Sequence, residues 1–484
     1  MGAWSRKSID TLRREAHGGD KPALLRTLGV LNLTAFGVGN TVGAGIFVLT
    51  GTVAALRAGP AVTLCFLLAS IACFFAGLCY AEYASMVPVA GSAYSYAYAT
   101  FGELVAWIIG WCIMFEYLFS ASLVAISWSG YITSFLGDHG VHIPSVLANA
   151  PLQADASGHV VLTGAWVNLP AVLVTLACTA LLIIGTRKSA MVNSVIVVAK
   201  VLAILVLVAA CLPHIDTHLW HPFVPPNTGK FGDFGWSGVM RGAGIVFFAY
   251  IGFDGVSTLA EEAKNPQRTM PLSLGLSLLI CTALYVAVSL AVTGIADYRQ
   301  LNVPDPLYQA LSLAHANLAW LKAMIAVVAG LGLIPVILLS LLGQIRIFYA
   351  MGRDGLLPPS LARCSERFHT PHVGTLVTGG ASALVAGLFP LDLLGELISI
   401  GTLMAFAIVC AGIIILRRRM PDLQRPFRTP WVPLVPVLGV ISCVVLMVFL
   451  PWQTWIRLAI WLAIGFAIYF GYGKKHSRLA AERT

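Results

Sequence analysis

Charged side chains are scarce in this chain. Asp, Glu, Lys and Arg make up 11% of its 484 residues, where a soluble domain carries roughly 25%. So little charge excludes a water-soluble globular domain. Cysteine motifs are missing too. Ten cysteines are present, but Cys65, Cys73, Cys79, Cys112, Cys178, Cys211, Cys281, Cys410 and Cys443 all lie in apolar stretches, and Cys364 lies in a polar one. They read as packing residues, with no disulfide framework. His139, His142 and His159 share one polar loop, but their spacing fits no metal motif. There is no clustered set of paired acids, His/Asp motif or metal ligands at one depth, which leaves a membrane-embedded enzyme as a distant alternative. No cofactor is implied. No cleavable leader is read either, because the first apolar run is too long for a signal peptide and more runs follow.

What is present is apolar surface: 58% of the residues are hydrophobic, and the mean hydropathy is +0.84. Twelve windows are long enough to cross a bilayer, from Leu31–Leu56 to Trp455–Tyr472, with the ninth, Val373–Leu388, the shortest. A net charge of +9 raises the question of nucleic acid. The distribution answers it. With the N-terminus inside, 23 of the 30 Lys and Arg fall on the cytoplasmic side, among them Arg187, Lys188, Arg346, Arg417, Arg418 and Arg419. That bias sets topology, places both termini in the cytoplasm and leaves no reason to invoke nucleic acid.

One stretch organises the chain: Gly37-Val38-Gly39-Asn40-Thr41-Val42-Gly43-Ala44-Gly45-Ile46-Phe47, inside the first window. Each glycine costs a helix about 1 kcal/mol relative to alanine. In a bilayer, the freed N–H and C=O groups also lack water to bond. The stretch therefore reads as a discontinuous helix whose bare peptide groups bind something polar; the alternative is a small-residue packing face. The sixth window repeats the feature, with Ile251-Gly252-Phe253-Asp254-Gly255 interrupting it halfway. Windows one and six are offset by five, an odd number, so windows 1–5 and 6–10 form inverted repeats. Interrupted segments at matching positions of two halves point to a transporter site.

Three ionisable residues lie deep inside windows: Glu116, Lys200 and Asp254. Each costs at least ~2.5 kcal/mol at mid-bilayer and is a functional candidate by default. Lys200 lies about eleven residues from each end of its window, hence ~16 Å from either surface, beyond the reach of snorkelling. It reads either as a residue that loses its proton during a transport cycle, with an ammonium standing where a sodium ion would otherwise sit, or as a fixed structural partner of Asp254 or of helix-end carbonyls. Asp254 reads as a cap on the second half-helix or as a titrating group. Glu116 reads as an attractor for a cationic side chain or as a helix–helix hydrogen bond. Tyr94, Tyr96 and Tyr98, in an uncharged stretch after the second window, read as an interfacial aromatic segment or a short re-entrant or surface helix.

Four ordered motifs now carry a resemblance: the Gly37–Gly45 stretch, Phe248-Ala249-Tyr250-Ile251-Gly252-Phe253-Asp254, Glu261-Glu262-Ala263-Lys264-Asn265-Pro266-Gln267-Arg268, and Gly352-Arg353-Asp354-Gly355-Leu356-Leu357-Pro358. They resemble the cationic amino acid transporter family of the amino acid–polyamine–organocation superfamily, from about Leu25 to the end of the twelfth window. Stopping at twelve windows, the chain looks like a bacterial relative.

The resemblance implies an all-α polytopic fold of 12 transmembrane helices in the bacterial inner membrane, with a 5+5 inverted repeat and broken helices 1 and 6. The divisions would be a cytoplasmic tail (1–26), the first repeat (27–213), the inverted repeat (214–416), two outer helices (417–473) and a second cytoplasmic tail (474–484). By the same resemblance, the backbone around Asn40, Thr41, Val42, Gly43, Ala44 and Gly45 would hold a substrate α-carboxylate. The carbonyls of Phe248, Ala249 and Ile251 would take the α-ammonium, and Phe248 or Phe253 would act as an aromatic gate. Lys200 and Asp254 would serve proton coupling and gating, and Glu116 would meet a cationic side chain. Ala44 stands where the wider superfamily often has Ser or Thr, which removes a hydroxyl but not the amides. Ser340 is a candidate for leaving room for a long side chain. The implied activity is proton-coupled import of cationic L-amino acids, or of cationic and neutral ones, such as arginine, lysine or alanine; exchange of amino acids or polyamines is the alternative.

Overall fold

The structure is a computed structural model and describes residues 28–43, 45–86, 92–154, 160–184, 189–253, 256, 263–314, 318–365 and 370–478. Helix α1 (Val30–Thr41) stops where the glycines cluster. The helical path resumes at Gly45 and runs to Ala58, with π-helical turns at Gly45–Leu49 and Ala54–Ala58 on either side of Thr50–Val53. Gly59, at φ +60°, then turns the chain into α2 (Val62–Met86). A short helix α3 (Ser92–Thr100) leads to the long α4 (Glu103–Asp138). The only strands among the described residues, β1 (Leu152–Ala154) and β2 (Val160–Leu162), form an antiparallel hairpin in the loop that follows.

Next come α5 (Leu169–Ile184), α6 (Ser189–Cys211) and α7 (Gly235–Val246). The 3-10 turn Phe247–Tyr250 extends α7. Beyond it lie α8 (Pro266–Ile295), the short α9 (Pro306–Leu313) and α10 (Ala319–Arg353). The chain finishes with α11 (His372–Leu388), α12 (Leu391–Arg419), α13 (Leu434–Val448) and α14 (Trp452–Ile468).

Among the described residues, seven helices are long and apolar enough to cross a membrane, and three shorter apolar helices accompany them. The protein is thus an all-α polytopic membrane protein. The two interrupted segments sit back to back in its middle. A Cβ on Gly45 would lie 2.1 Å from the Ala249 Cβ and 2.3 Å from its Cα, so the breaks touch with no side chain between them. Gly252, at φ +114°, brings its own backbone against the Asn40 carbonyl, where a Cβ would approach to 2.8 Å. Helix α8 packs on α1 and α2, and α4 packs along α10 on the other side.

The aromatic segment departs from one of its readings. Helix α3 is not at the surface: Tyr94, Tyr96 and Tyr98 are buried. The Tyr94 hydroxyl donates to Asp354 at 2.6 Å, the Tyr98 hydroxyl donates to Glu103 at 3.0 Å, and Tyr96 stacks on Tyr83. Asp354 belongs to the Gly352–Pro358 motif, and its carbonyl accepts from the Arg478 N–H at 3.1 Å. That motif therefore anchors α3 and the last described turn of the chain together.

A second anchor is Glu82 on α2, which is 0% exposed. Arg417 grips its carboxylate with Nε at 3.0 Å and Nη2 at 2.7 Å, and the Thr429 N–H adds a bond at 2.7 Å. Removing one partner of such a pair leaves a buried charge without compensation. Glu82→Ala is expected to cost about 3–5 kcal/mol, read as a lower unfolding temperature in detergent. The glycines allow a paired test. Gly45→Ala forces the two breaks apart and should cost about 1–3 kcal/mol by overpacking. Gly275→Ala, inside α8 where a Cβ meets nothing within 4 Å, should hold or raise the unfolding temperature.

Candidate binding site between the broken helices

Where α1 ends, its last carbonyls have no helical partners. Val42 is extended at φ −73°, ψ 94°, and the carbonyls of this turn are taken up from outside the helix. The Lys200 ammonium, 1% exposed on α6, donates to the Gly39 carbonyl at 3.1 Å and the Val42 carbonyl at 2.8 Å. The Tyr285 hydroxyl on α8 lies 2.7 Å from the Thr41 carbonyl and 2.7 Å from the Ala249 carbonyl. It has one proton for two acceptors, so it serves the two breaks in alternation or shares the proton between them.

The second break is built differently. The Ile251 N–H closes back on the Phe248 carbonyl at 3.0 Å. Ile251 is then extended, and Gly252 takes the left-handed conformation. The Tyr250 hydroxyl fixes this segment to α2 by donating to the Phe66 carbonyl at 3.0 Å.

A cavity of about 170 Å3 opens between the breaks and the α4–α10 pair. Asn40, Thr41, Gly43 and Gly45 line it from the first break, and Phe248, Ile251 and Gly252 from the second. Glu116 and Ser120 face it from α4, and Ser340 faces it from α10. The Ser120 and Ser340 hydroxyls are 3.0 Å apart. Glu116 is 4% exposed, a carboxylate held in a nearly dry wall. The helical path that starts at Gly45 points its N-terminal, positive end at this space.

Eight of the residues singled out in the sequence thus share one cavity: Asn40, Thr41, Gly43, Gly45, Glu116, Phe248, Ile251 and Ser340. Others stand behind it. Val42 is fully buried and meets Lys200 through its carbonyl. Ala249 packs on Gly45, with its carbonyl on Tyr285. Phe253 is buried edge-on to Tyr80 and Phe406, whose rings reach the cavity. Lys200 lies outside the cavity wall, on the far side of the first break; of its two structural readings, the helix-end carbonyls are the partners seen. Ala44 and Asp254 lie outside the described residues. Sequence reasoning missed Tyr285, Ser120 and Arg346. A tyrosine in the middle of the seventh window was the available signal for the first. Arg346, which also lines the cavity, had been counted only as part of the cytoplasmic positive charge.

Comparison with known proteins bears on this geometry. A family model described as amino acid permease matches residues 28–469. The chain is 44% identical over 475 residues to the branched-chain amino acid permease BcaP of Bacillus subtilis (strain 168), covering 98% of each chain. It is 41% identical over 474 residues to the methylthioribose transporter of the same organism, again covering 98% of each. With cationic amino acid transporter 4, vacuolar, of Arabidopsis thaliana it shares 36% over 422 residues, which is 86% of this chain and 67% of the relative. A chain with two apposed helix breaks around one polar cavity, matched along almost its whole length, is a transporter rather than an enzyme, and it belongs to the amino acid permease family of the amino acid–polyamine–organocation superfamily.

Proposed function

We propose that this protein is a secondary active transporter that imports cationic and neutral L-amino acids together with a proton, by alternating access across the bacterial inner membrane. The reading includes twelve spans, inverted repeats over 27–213 and 214–416, and cytoplasmic termini. The observation that carries it is the Lys200 ammonium bonded to the carbonyls of the first break. A side chain that organises a broken helix by its charge links protonation to the shape of the substrate site.

In this mechanism the substrate α-carboxylate sits at the Gly43–Gly45 end of the resumed helix, where backbone dipoles favour an anion. The α-ammonium faces the break that carries Phe248 and Ile251. Phe248 and Phe253 close the site as aromatic neighbours. When Lys200 loses its proton, its hold on the Gly39 and Val42 carbonyls weakens, and the first half-helix is released from α6. Asp254 and Ala44 keep their implied parts in gating and carboxylate binding. The relatives include proteins named for branched-chain and for cationic amino acids. A cavity with a carboxylate at Glu116 and two small hydroxyl residues at Ser120 and Ser340 suits both: the acid meets a cationic side chain, and the free space admits a branched one.

Two measurements test this reading. In proteoliposomes, an inward proton gradient should drive accumulation of arginine and leucine by the wild type. Lys200→Ala should abolish that accumulation while leaving exchange of internal for external amino acid measurable. Uptake that ignores the gradient but requires preloaded amino acid would replace symport with exchange. Ser340→Trp should fill the space beside Ser120 and raise the KM for arginine about 10- to 200-fold, with a smaller effect on alanine, as expected when a pocket loses room for one substrate. Equal losses for both amino acids would remove Ser340 from the specificity wall.

A further inference from the structure

A second cavity, of about 720 Å3, lies at the end of the molecule where α4 finishes. Its walls are the last turns of α4, the loop with the β1–β2 hairpin, the 302–305 segment before α9, and the start of α12. Under the orientation proposed above, on which this inference rests, that end faces outward. The lining mixes apolar and polar residues and carries no lysine or arginine among the described residues; Thr133, Ser134, Gln153, Asn168 and Asn302 share it with one acid, Asp305.

Asp305 is an unusual aspartate. It occupies the N-cap position of α9, where its side chain would ordinarily accept a backbone N–H, yet it makes no side-chain cap bond. It is 7% exposed and forms no ion pair among the described residues. The nearby cation is used elsewhere: Lys322 is 2.8 Å from Asp138 and sits over the Tyr308 ring, and the Tyr308 hydroxyl also donates to Asp138. On the same wall the Thr133 hydroxyl is buried without a hydrogen-bond partner. The Asp305 carboxylate keeps hydrogen bonds from the Ser134 hydroxyl and from its own N–H, but a buried carboxylate without a counter-ion is costly until something cationic completes it.

We propose that this cavity is an outer binding site for an organic ammonium group, that of an L-amino acid or of a diamine, with the Asp305 carboxylate as its anchor. Occupancy would bear on the path to the central site. The segment that carries Asp305 is wedged between two glycines. A Cβ on Gly51, in the resumed first helix, would meet the Leu301 carbonyl at 2.5 Å and Pro306 at 2.1 Å. A Cβ on Gly130 of α4 would meet Pro304 at 2.6 Å, and the Ser127 hydroxyl holds the Pro304 carbonyl at 2.9 Å. An ammonium on Asp305 therefore holds this wedge against the outer half of the first broken helix.

The site titrates in a useful range. Burial pushes the Asp305 carboxyl up to about 6, opposed in part by the Ser134 hydroxyl and by the charge of Lys322. Tyr131 and Ser134 of α4, Lys322 of α10 and Tyr308 of α9 stand close enough to act on it; Asp138 ends α4, and His142 follows in the adjoining loop. Replacing His142 in the binding test separates its imidazole from the carboxylate. The carboxylate, and with it the anchor, is present above about 6 and is lost as pH falls below that value.

The test is equilibrium binding of radiolabelled L-lysine and of 1,5-diaminopentane to the purified full-length protein in nanodiscs. The variants are Asp305→Asn, Gly43→Val and His142→Gln. A Cβ at Gly43 already meets Val336 at 2.9 Å, so Gly43→Val blocks the central cavity; Ser340→Trp serves the same end if that variant does not fold. The expected result is two lysines per wild-type chain at pH 7.5 and one at pH 5. Asp305→Asn binds one at either pH, and Gly43→Val keeps one that disappears at pH 5. His142→Gln behaves as wild type. Diaminopentane should bind Gly43→Val but not the Asp305→Asn, Gly43→Val double variant; lysine binding there without the diamine would assign the site to free amino acids. One lysine in the wild type, retained by Asp305→Asn and lost in Gly43→Val, would overturn the outer site alone. No binding to any form would overturn the transport reading with it.

Discussion

The first break is held by a lysine. A helix interrupted inside a bilayer leaves carbonyls that no water can reach, and here the Lys200 ammonium takes two of them, Gly39 and Val42, while the Tyr285 hydroxyl reaches a third at Thr41. The rest of the centre follows from that arrangement. With its loose carbonyls satisfied from behind, the first half-helix can present its other face, Asn40, Thr41 and Gly43, to a cavity. The second break leans on the same tyrosine through Ala249 and on the first break through Gly45 and Gly252. A polar group that would destabilise an isolated span is thus the one that permits an irregular backbone at this depth.

Outside the centre, buried acids tie the ends of helices together. Glu82 joins α2 to Arg417 at the end of α12 and to the segment after it. Glu103 collects the hydroxyls of Tyr98, Tyr469 and Ser477. Each of these acids sits near a helix end, where side chains from the ends of neighbouring helices reach it. The middle of the bundle is tied without charge: the Ser122 hydroxyl donates to the Ser382 carbonyl at 3.0 Å, and the Trp111 and Trp461 indoles donate to each other's carbonyls.

Much of this was legible in the sequence because glycine and charge are both expensive inside a span. The clusters at 37–45 and 251–255 announced two breaks, and Glu116 and Lys200 announced interior-facing charge. The depth of Lys200 was enough to predict that it faces the protein interior, with helix-end carbonyls as one of the partners left open. Other residues gave no such signal. Tyr285 sits in a window where a tyrosine costs little, and nothing in its neighbours tells which carbonyl its hydroxyl will meet. Ser120 is one of many small residues on α4, and only the position of α10 pairs it with Ser340. The alternation of Tyr94, Tyr96 and Tyr98 left an interfacial segment, a re-entrant helix and a surface helix open, because period-two patterning says nothing of the buried acids, Glu103 and Asp354, that draw two of those hydroxyls inward.

The contact between Gly45 and Ala249 has a genetic consequence. A methyl at position 45 would meet the Ala249 Cα at 2.3 Å as well as its Cβ at 2.1 Å. Trimming position 249 to glycine removes only the second of these clashes. The contact is therefore one of backbone with backbone, and a lesion at position 45 should have no suppressor at 249: relief has to come from residues that let the two segments move apart.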